Sequence, residues 1–424
     1  MSKILTAVIL ALLLSPLSQA SGETAELDLK KLIKEAIENN PKLKAIKKHA
    51  LAFKHKVPQA GALEDPQLKA GIDNLPIKDP SFTEFLPTSK VIGLSQKIPF
   101  PGKLSLKERM ALKEADSAEA LYKKEQNKIR EEIKSAYYDL YYINKAIAIN
   151  KKNKKLLHDL SKVAATRYSV GKGIQQDVLK AQVELSKIVN ELIVLKQKKV
   201  SAKARINTIL DRPTNSKLPD PPDVKIDPFP YTLKELQQSA LKHSYLLKAL
   251  KKEIEKNEVG VSLAKREFLP DFNFSLVYKQ REDGDNFSGD DWISGFVSMT
   301  IPLYLTKKQV PHLKERKATL MQAKSIYRQA RNDLSFKVKD TFVEIKKEQK
   351  LIKLFETGFI PQARQSLDSA LSGYQVDKVD FLTLTDNLLS LLRFELEYYK
   401  TITNYEKLLS QMESLIDKPL TSYY

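Results

Sequence analysis

The sequence predicts a mainly α-helical protein with a membrane β-barrel part, written as one helix–β-hairpin–long helix–helix unit used twice. Three observations predict it. Short blocks recur in the same order at an offset near 205 residues. Two stretches of about 65 residues carry apolar side chains at helical spacing, with little Gly or Pro. Four short runs alternate in polarity with period two, as strands with unlike faces do.

The duplication sets the architecture, because each repeat is one structural unit. Leu29-Lys-Lys-Leu32-Ile-Lys-Glu-Ala36-Ile37 recurs as Leu233-Lys-Glu-Leu236-Gln-Gln-Ser-Ala240-Leu241. Ser95 to Phe100 recurs as Ser298 to Leu303, and Arg167 to Lys172 as Gly373 to Lys378. The chain therefore divides into residues 21–218 and 219–424, preceded by residues 1–20. Those first residues hold Lys3, an apolar run from Ile4 to Leu14 and Ser18-Gln19-Ala20, which is the pattern of a secretory signal peptide. The run is too short for a bilayer, which needs roughly 20 residues. The expectation is an exported chain beginning near Ser21.

Composition fits an exported, helix-dominated chain. Of 424 residues, 71 are Lys or Arg and 52 Asp or Glu, 13 are Gly and none is Cys. The missing cysteine removes disulfide scaffolds, thiolate metal sites, cysteine nucleophiles and a lipoprotein anchor. The basic excess fits nucleic acid or an anionic surface. Export makes nucleic acid a poor partner, and the excess reads as the polar surface of long helices.

Each unit opens with a helical stretch, roughly 28–63 or 231–267, interrupted by Pro41 and ended near Pro58 or Pro270. Strand-like runs follow, Gln67 to Leu75 and Lys90 to Ile98, then Asp271 to Gln280 and Trp292 to Leu303. The long helices, roughly 104–168 and 307–372, would each measure about 98 Å. A turn leads to a final helix, about 174–210 or 380–417. Ile129, Ile133, Ala136, Leu140, Ile143 and Ile147 repeat three then four apart, and so do Val178, Ala181, Leu185, Ile188, Leu192 and Leu195. Such seams pack as coiled coils.

Runs of about 9–11 residues span a bilayer when tilted, but a membrane tolerates no unpaired strand edges. Four strands per chain must therefore close with other chains. Eight strands already fill with side chains, whereas three chains would give twelve. The alternative is a periplasmic coiled-coil structural protein without a pore. It gives no reason for the leader, the duplication and the strand pairs to occur together.

Arg167-Tyr168-Ser-Val-Gly171-Lys-Gly-Ile-Gln-Gln-Asp177-Val178-Leu179-Lys-Ala181-Gln182 is similar to the Tyr-x-x-Gly…Asp-Val-Leu-x-Ala-Gln signature of the TolC family. These are the outer membrane factors of tripartite efflux pumps and type I secretion. The resemblance covers essentially the whole mature chain. Tyr374 to Leu388 matches more loosely, with Asp377 where Gly is usual. Gln96-Lys-Ile-Pro99-Phe-Pro101-Gly102-Lys103 resembles the junction of the heavy-metal and cation efflux branch, many of whose members carry a lipidation cysteine that this chain lacks. The resemblance implies a homotrimer whose shared 12-stranded barrel sits in outer membrane lipid above a periplasmic α-helical barrel. The tunnel would be closed at its lower end by the inner helix pairs. Docking of a periplasmic adaptor and an inner-membrane transporter would open it. It implies a passive conduit without cofactor, metal or catalysis. The transported substrate and transporter class are not written in the sequence, beyond a lean toward cations from the Pro-Phe-Pro-Gly-Lys junction.

Within that frame the tips at Arg167, Tyr168, Val170, Gly171 and Lys172, and at Gln375, Val376, Asp377 and Lys378, are expected to contact the adaptor. Gly171 would also end its helix in the left-handed conformation. Asp177, Asp380, Asp386 and Tyr374 are candidates for the periplasmic gate, where rings of carboxylate favour cations. Asp380 equally suits a helix N-terminus. Tyr137, Tyr138, Tyr141 and Tyr142 read as packing residues. Phe82, Phe85, Phe100, Phe287 and Trp292 fit either an interfacial aromatic girdle or loop packing. The five histidines show no metal-ligand spacing, and Gly102-Lys103 lacks the first glycine of a phosphate loop.

Overall fold

Helix-forming sequence dominates, so the molecule is elongated. The computed structural model describes residues 27–226 and 228–420; the expected leader lies outside them. The first unit runs α1 (Leu29–Asn39), α2 (Pro41–Gly61), β1 (Gln67–Asp73), β2 (Ser89–Ile98), α3 (Lys103–Ser169) and α4 (Gln175–Ile209). The second runs α5 (Leu233–His243), α6 (Tyr245–Arg266), β3 (Asp271–Gln280), β4 (Trp292–Thr300), α7 (Gln309–Leu354), α8 (Ile360–Gln375) and α9 (Phe381–Ile416). A π-helical turn, Phe355–Phe359, joins α7 to α8.

Local chemistry explains the boundaries. Pro41 opens α2, and Asn40 caps it by accepting from Leu43 N–H. Ser244 does the same between α5 and α6, accepting from Leu247 N–H, so the second unit breaks at the same place without a proline. Pro58 does not stop α2, which runs through it to Gly61. β1 stops at Asp73, two residues early, because Asn74 adopts a left-handed φ of 57°. β4 stops at Thr300, three residues short of Leu303. The second long helix is not continuous. Pro361 has no N–H, and in a regular helix its ring would meet the Thr357 carbonyl. The chain widens there, and the Ile360 N–H reaches back five residues to the Phe355 carbonyl.

α3 is the spine. α2 packs antiparallel along its first half through ion pairs such as Lys42–Glu125, and α4 packs along the second half. The expected seam is buried at Ile129, Ile133, Ala136, Leu140, Ala181, Ile188, Leu192 and Leu195. Tyr137, Tyr138 and Tyr141 are buried beside it. One apolar core joins α3, α4, α8 and α9 at the end remote from the sheet. Two others join α1, α3 and α4, and α5, α7 and α9, nearer the middle. Lys134 and Glu413 pair in the buried middle region at 2.5 Å.

The strands form one antiparallel sheet in the order β1-β2-β3-β4, so β2 and β3 unite the two units. Its register sorts the side chains. Leu68, Leu94 and Leu276 stand on one row with Gly295, and Ala70, Ile92, Tyr278 and Ile293 on another. Gln67, Ser95 and Ser275 align with Phe296 on the opposite face, which also carries Lys97, Asn273 and Ser298 and is the more polar of the two. Along β3 the apolar positions Phe274, Leu276 and Tyr278 are the exposed ones, while Asn273, Ser275 and Lys279 are half-buried. That inverts the order found in a sheet that faces water. β1 and β4 are the unpaired edges among the described residues. No described helix is long and apolar enough to cross a membrane.

The Pro-Phe-Pro-Gly-Lys junction ties sheet to helices. Gly102 has a φ of 87°, and a Cβ there would lie 2.1 Å from the Arg266 guanidinium. That guanidinium donates to the Pro101 carbonyl. Lys103, buried, donates to the Leu269 carbonyl at 2.9 Å and to Asp271 at 2.7 Å, and Asp271 also accepts from Phe100 N–H. Gly102→Ala should lower the thermal midpoint of helix loss followed by circular dichroism, with about 1–2 kcal/mol from φ alone. Gly71→Ala, which meets nothing within 4 Å, should leave it unchanged.

Candidate functional site: the tips of the two helical hairpins

Both hairpins turn with one geometry. In the first, Gly171 N–H donates to the Tyr168 carbonyl at 3.0 Å and Lys172 N–H to the Arg167 carbonyl at 2.9 Å. In the second, Asp377 N–H donates to the Tyr374 carbonyl at 3.4 Å and Lys378 N–H to the Gly373 carbonyl at 2.9 Å. Each pattern satisfies two orphan carbonyls at a helix end through a residue in the left-handed region. Gly171 has a φ of 75° and Asp377 a φ of 61°. Asp tolerates this conformation better than most residues, so the departure from Gly changes the strain and not the turn.

At the apex the two tips look alike to solvent. Val170 is 63% exposed and Val376 62%. Tyr168, Lys172, Gln375 and Lys378 are exposed around them. Behind the apex they differ. Tyr374 is 5% exposed, its ring 5.7 Å from that of Phe381. Burial pushes its hydroxyl pKa up.

Arg167 bridges the hairpins. Its guanidinium lies 4.6 Å from the Tyr374 ring centroid, donates to the Tyr374 carbonyl and pairs with Asp377. The position equivalent to Arg167 in the second unit is Gly373, where a Cβ would approach Val379 to 2.5 Å. From the sequence Arg167 is an apex residue; its bridging role exists only in the fold. The unmatched Arg/Gly pair in otherwise matching blocks was the available signal.

The carboxylates separate. Asp177 sits half-buried in the first turn of α4; burial, and then the nearby charge of Asp380, push its pKa up. Asp380 caps α9, accepting from Thr383 N–H at 2.7 Å, and that bond holds its carboxyl below the usual range. Asp386 is exposed farther along α9, away from the Arg167 cluster. Glu184, which sequence reading did not single out, is buried on α4 between Lys180 at 3.2 Å and Lys187 at 2.9 Å. No cluster of metal-ligating side chains occurs among the described residues.

The chain matches the model of the family described as "Outer membrane efflux protein" over residues 32–211 and 236–404. No curated protein sequence matches it. Among solved structures it is similar to the outer membrane protein VceC of Vibrio cholerae, at 18% identity and a TM-score of 0.77, covering 93% of this chain and 97% of that one. It is similar to the outer membrane channel MtrE of Neisseria gonorrhoeae in its open state, at 15% identity and a TM-score of 0.78, covering 94% and 90%. It is also similar to the outer-membrane channel OprN, at 16% identity and a TM-score of 0.79, covering 92% and 89%. The two matched segments, which together take in both hairpin tips and most of the helical frame, show that the chain belongs to the outer membrane efflux protein family and is a transport protein, not an enzyme.

Proposed function

We propose that the chain is the exit duct of a tripartite efflux pump or type I secretion system, working as a homotrimer. The observation that carries this is the four-stranded sheet with an exposed apolar face and two open edges. Three copies joined β4 to β1 satisfy every edge and give a twelve-stranded barrel with lipid outside and polar residues within. In this reading it stands in the outer membrane of a Gram-negative-type cell and reaches about 100 Å into the periplasm along α3. It acts passively, without a cofactor. An adaptor and an inner-membrane transporter supply docking and energy.

The tips form the periplasmic gate in this reading. Arg167, Tyr374 and Asp377 latch one hairpin to the other, and Asp177 and Asp380 oppose the latch by repulsion. Asp386 lines the constriction above them. The adaptor docks on the exposed apex, with Val170 and Val376 as its apolar anchors.

Asp substitution at both Val170 and Val376 should abolish efflux while leaving trimers intact in an unboiled detergent gel. Arg167→Ala should raise single-channel conductance in planar bilayers, because it removes the cation–π contact and the ion pair together. Asp386→Ala should raise conductance or relieve block by multivalent cations; no change in either removes Asp386 from the gate. The raised pKa of Asp177 sets a sign for pH. Its charge penalises the closed tip above that pKa and vanishes below it. Conductance should therefore fall as pH is lowered into the acid range, and Asp177→Asn should flatten that fall.

A further inference from the structure

The two hairpins share a backbone but not a charge. Residues 150–190 hold nine basic and three acidic residues, whereas the equivalent 356–396 hold three and six. The difference concentrates on α3. Lys151, Lys154, Lys155, His158 and Lys162 are all exposed and recur at helical spacing. None of them makes an ion pair among the described residues. The equivalent positions in the second unit are Thr357, Ile360, Pro361, Arg364 and Asp368.

Position excludes several partners. Lys151 lies 48 residues beyond the start of α3, about 70 Å from the sheet, which is beyond the reach of lipid headgroups. At this end the helices form a row, α4-α3-α9-α8, in which α3 is flanked on both sides. A second copy would join at the open flanks, α4 and α8, and would leave the stripe uncovered. The buried side of α3 here, at Asn153, Leu157, Leu160 and Ala164, lies opposite the stripe and faces the core shared with α4 and α9. The row therefore bends away from the stripe, which stands on the convex, outer side of a closed tube.

We propose that this stripe docks an acidic surface of the adaptor, so that the adaptor grips the first hairpin by charge and apex and the second by apex alone. This rests on the exit-duct reading. Charge complementarity of this kind steers encounter and fixes register.

The test uses cells that carry this chain as their sole exit duct, with its own adaptor and transporter. Lys151→Glu, Lys155→Glu and Lys162→Glu together should cut efflux at least four-fold with normal trimer yield. The corresponding triple Lys→Arg variant should keep wild-type efflux. Suppressors of the Glu variant should map to Asp or Glu codons of the adaptor, changed to Lys or Arg. Unchanged efflux overturns the proposal. So does loss of trimers, which would make the stripe a seam between copies. Lost export of anionic cargo with undiminished adaptor cross-linking also overturns it, because the stripe would then face the tunnel. Failure of the wild-type chain to support any efflux would instead overturn the exit-duct reading.

Discussion

An open sheet edge cannot stay open in lipid. Each unpaired N–H or C=O in hydrocarbon costs several kcal/mol, and the bilayer offers no water to replace the missing partner. Here one edge of a four-stranded sheet belongs to β1 and the other to β4, on a sheet whose exposed face is apolar. In the proposed duct, edge closure takes other copies, and a ring of copies fixes where the helices below must stand. The buried Lys103–Asp271 contact and the positive φ of Gly102 transmit that placement, because they hold the corner where β2 becomes α3 against the corner where α6 becomes β3. The tips inherit their spacing from this corner through one unbroken helix in the first unit and a widened one in the second.

Much of this architecture was legible in the sequence because it depends on periodicity and repetition. Period two located β2 and β3 almost to the residue, and the three-four spacing of Ile129 to Leu140 found the buried seam of α3. What escaped was set by single backbone groups. The break at Ser244 depends on a hydroxyl accepting from Leu247 N–H, and a serine announces that weakly. The π-turn at Phe355–Phe359 depends on what the chain does about one missing N–H at Pro361. At the tips, matching blocks found the two turns, but pairing Arg167 with Tyr374 and Asp377 needs a contact across 207 residues of sequence. Asp380 was legible as a cap, because a carboxylate before an apolar helical run accepts the backbone N–H three residues on.

The two copies show which features the fold requires and which it leaves free. Both keep the interrupted first helix, the strand pair and the same terminal turn, because these satisfy backbone hydrogen bonds. Their charge has diverged. An exposed ion pair contributes about 0–1 kcal/mol, so losing exposed lysines or gaining exposed carboxylates along a hairpin costs the fold little. Lys103 and Lys134, by contrast, are buried and held by Asp271 and Glu413. Removing one member of such a pair leaves a buried charge uncompensated. The basic excess of this chain therefore has two parts: a few lysines that the fold needs, and many that the fold leaves free to vary. A duplicated protein that meets its partner through both copies has two surfaces to adjust independently. Under the docking proposed for the stripe, the unequal charge of the hairpins is the mark of such adjustment, with the backbone of both held by the same constraint.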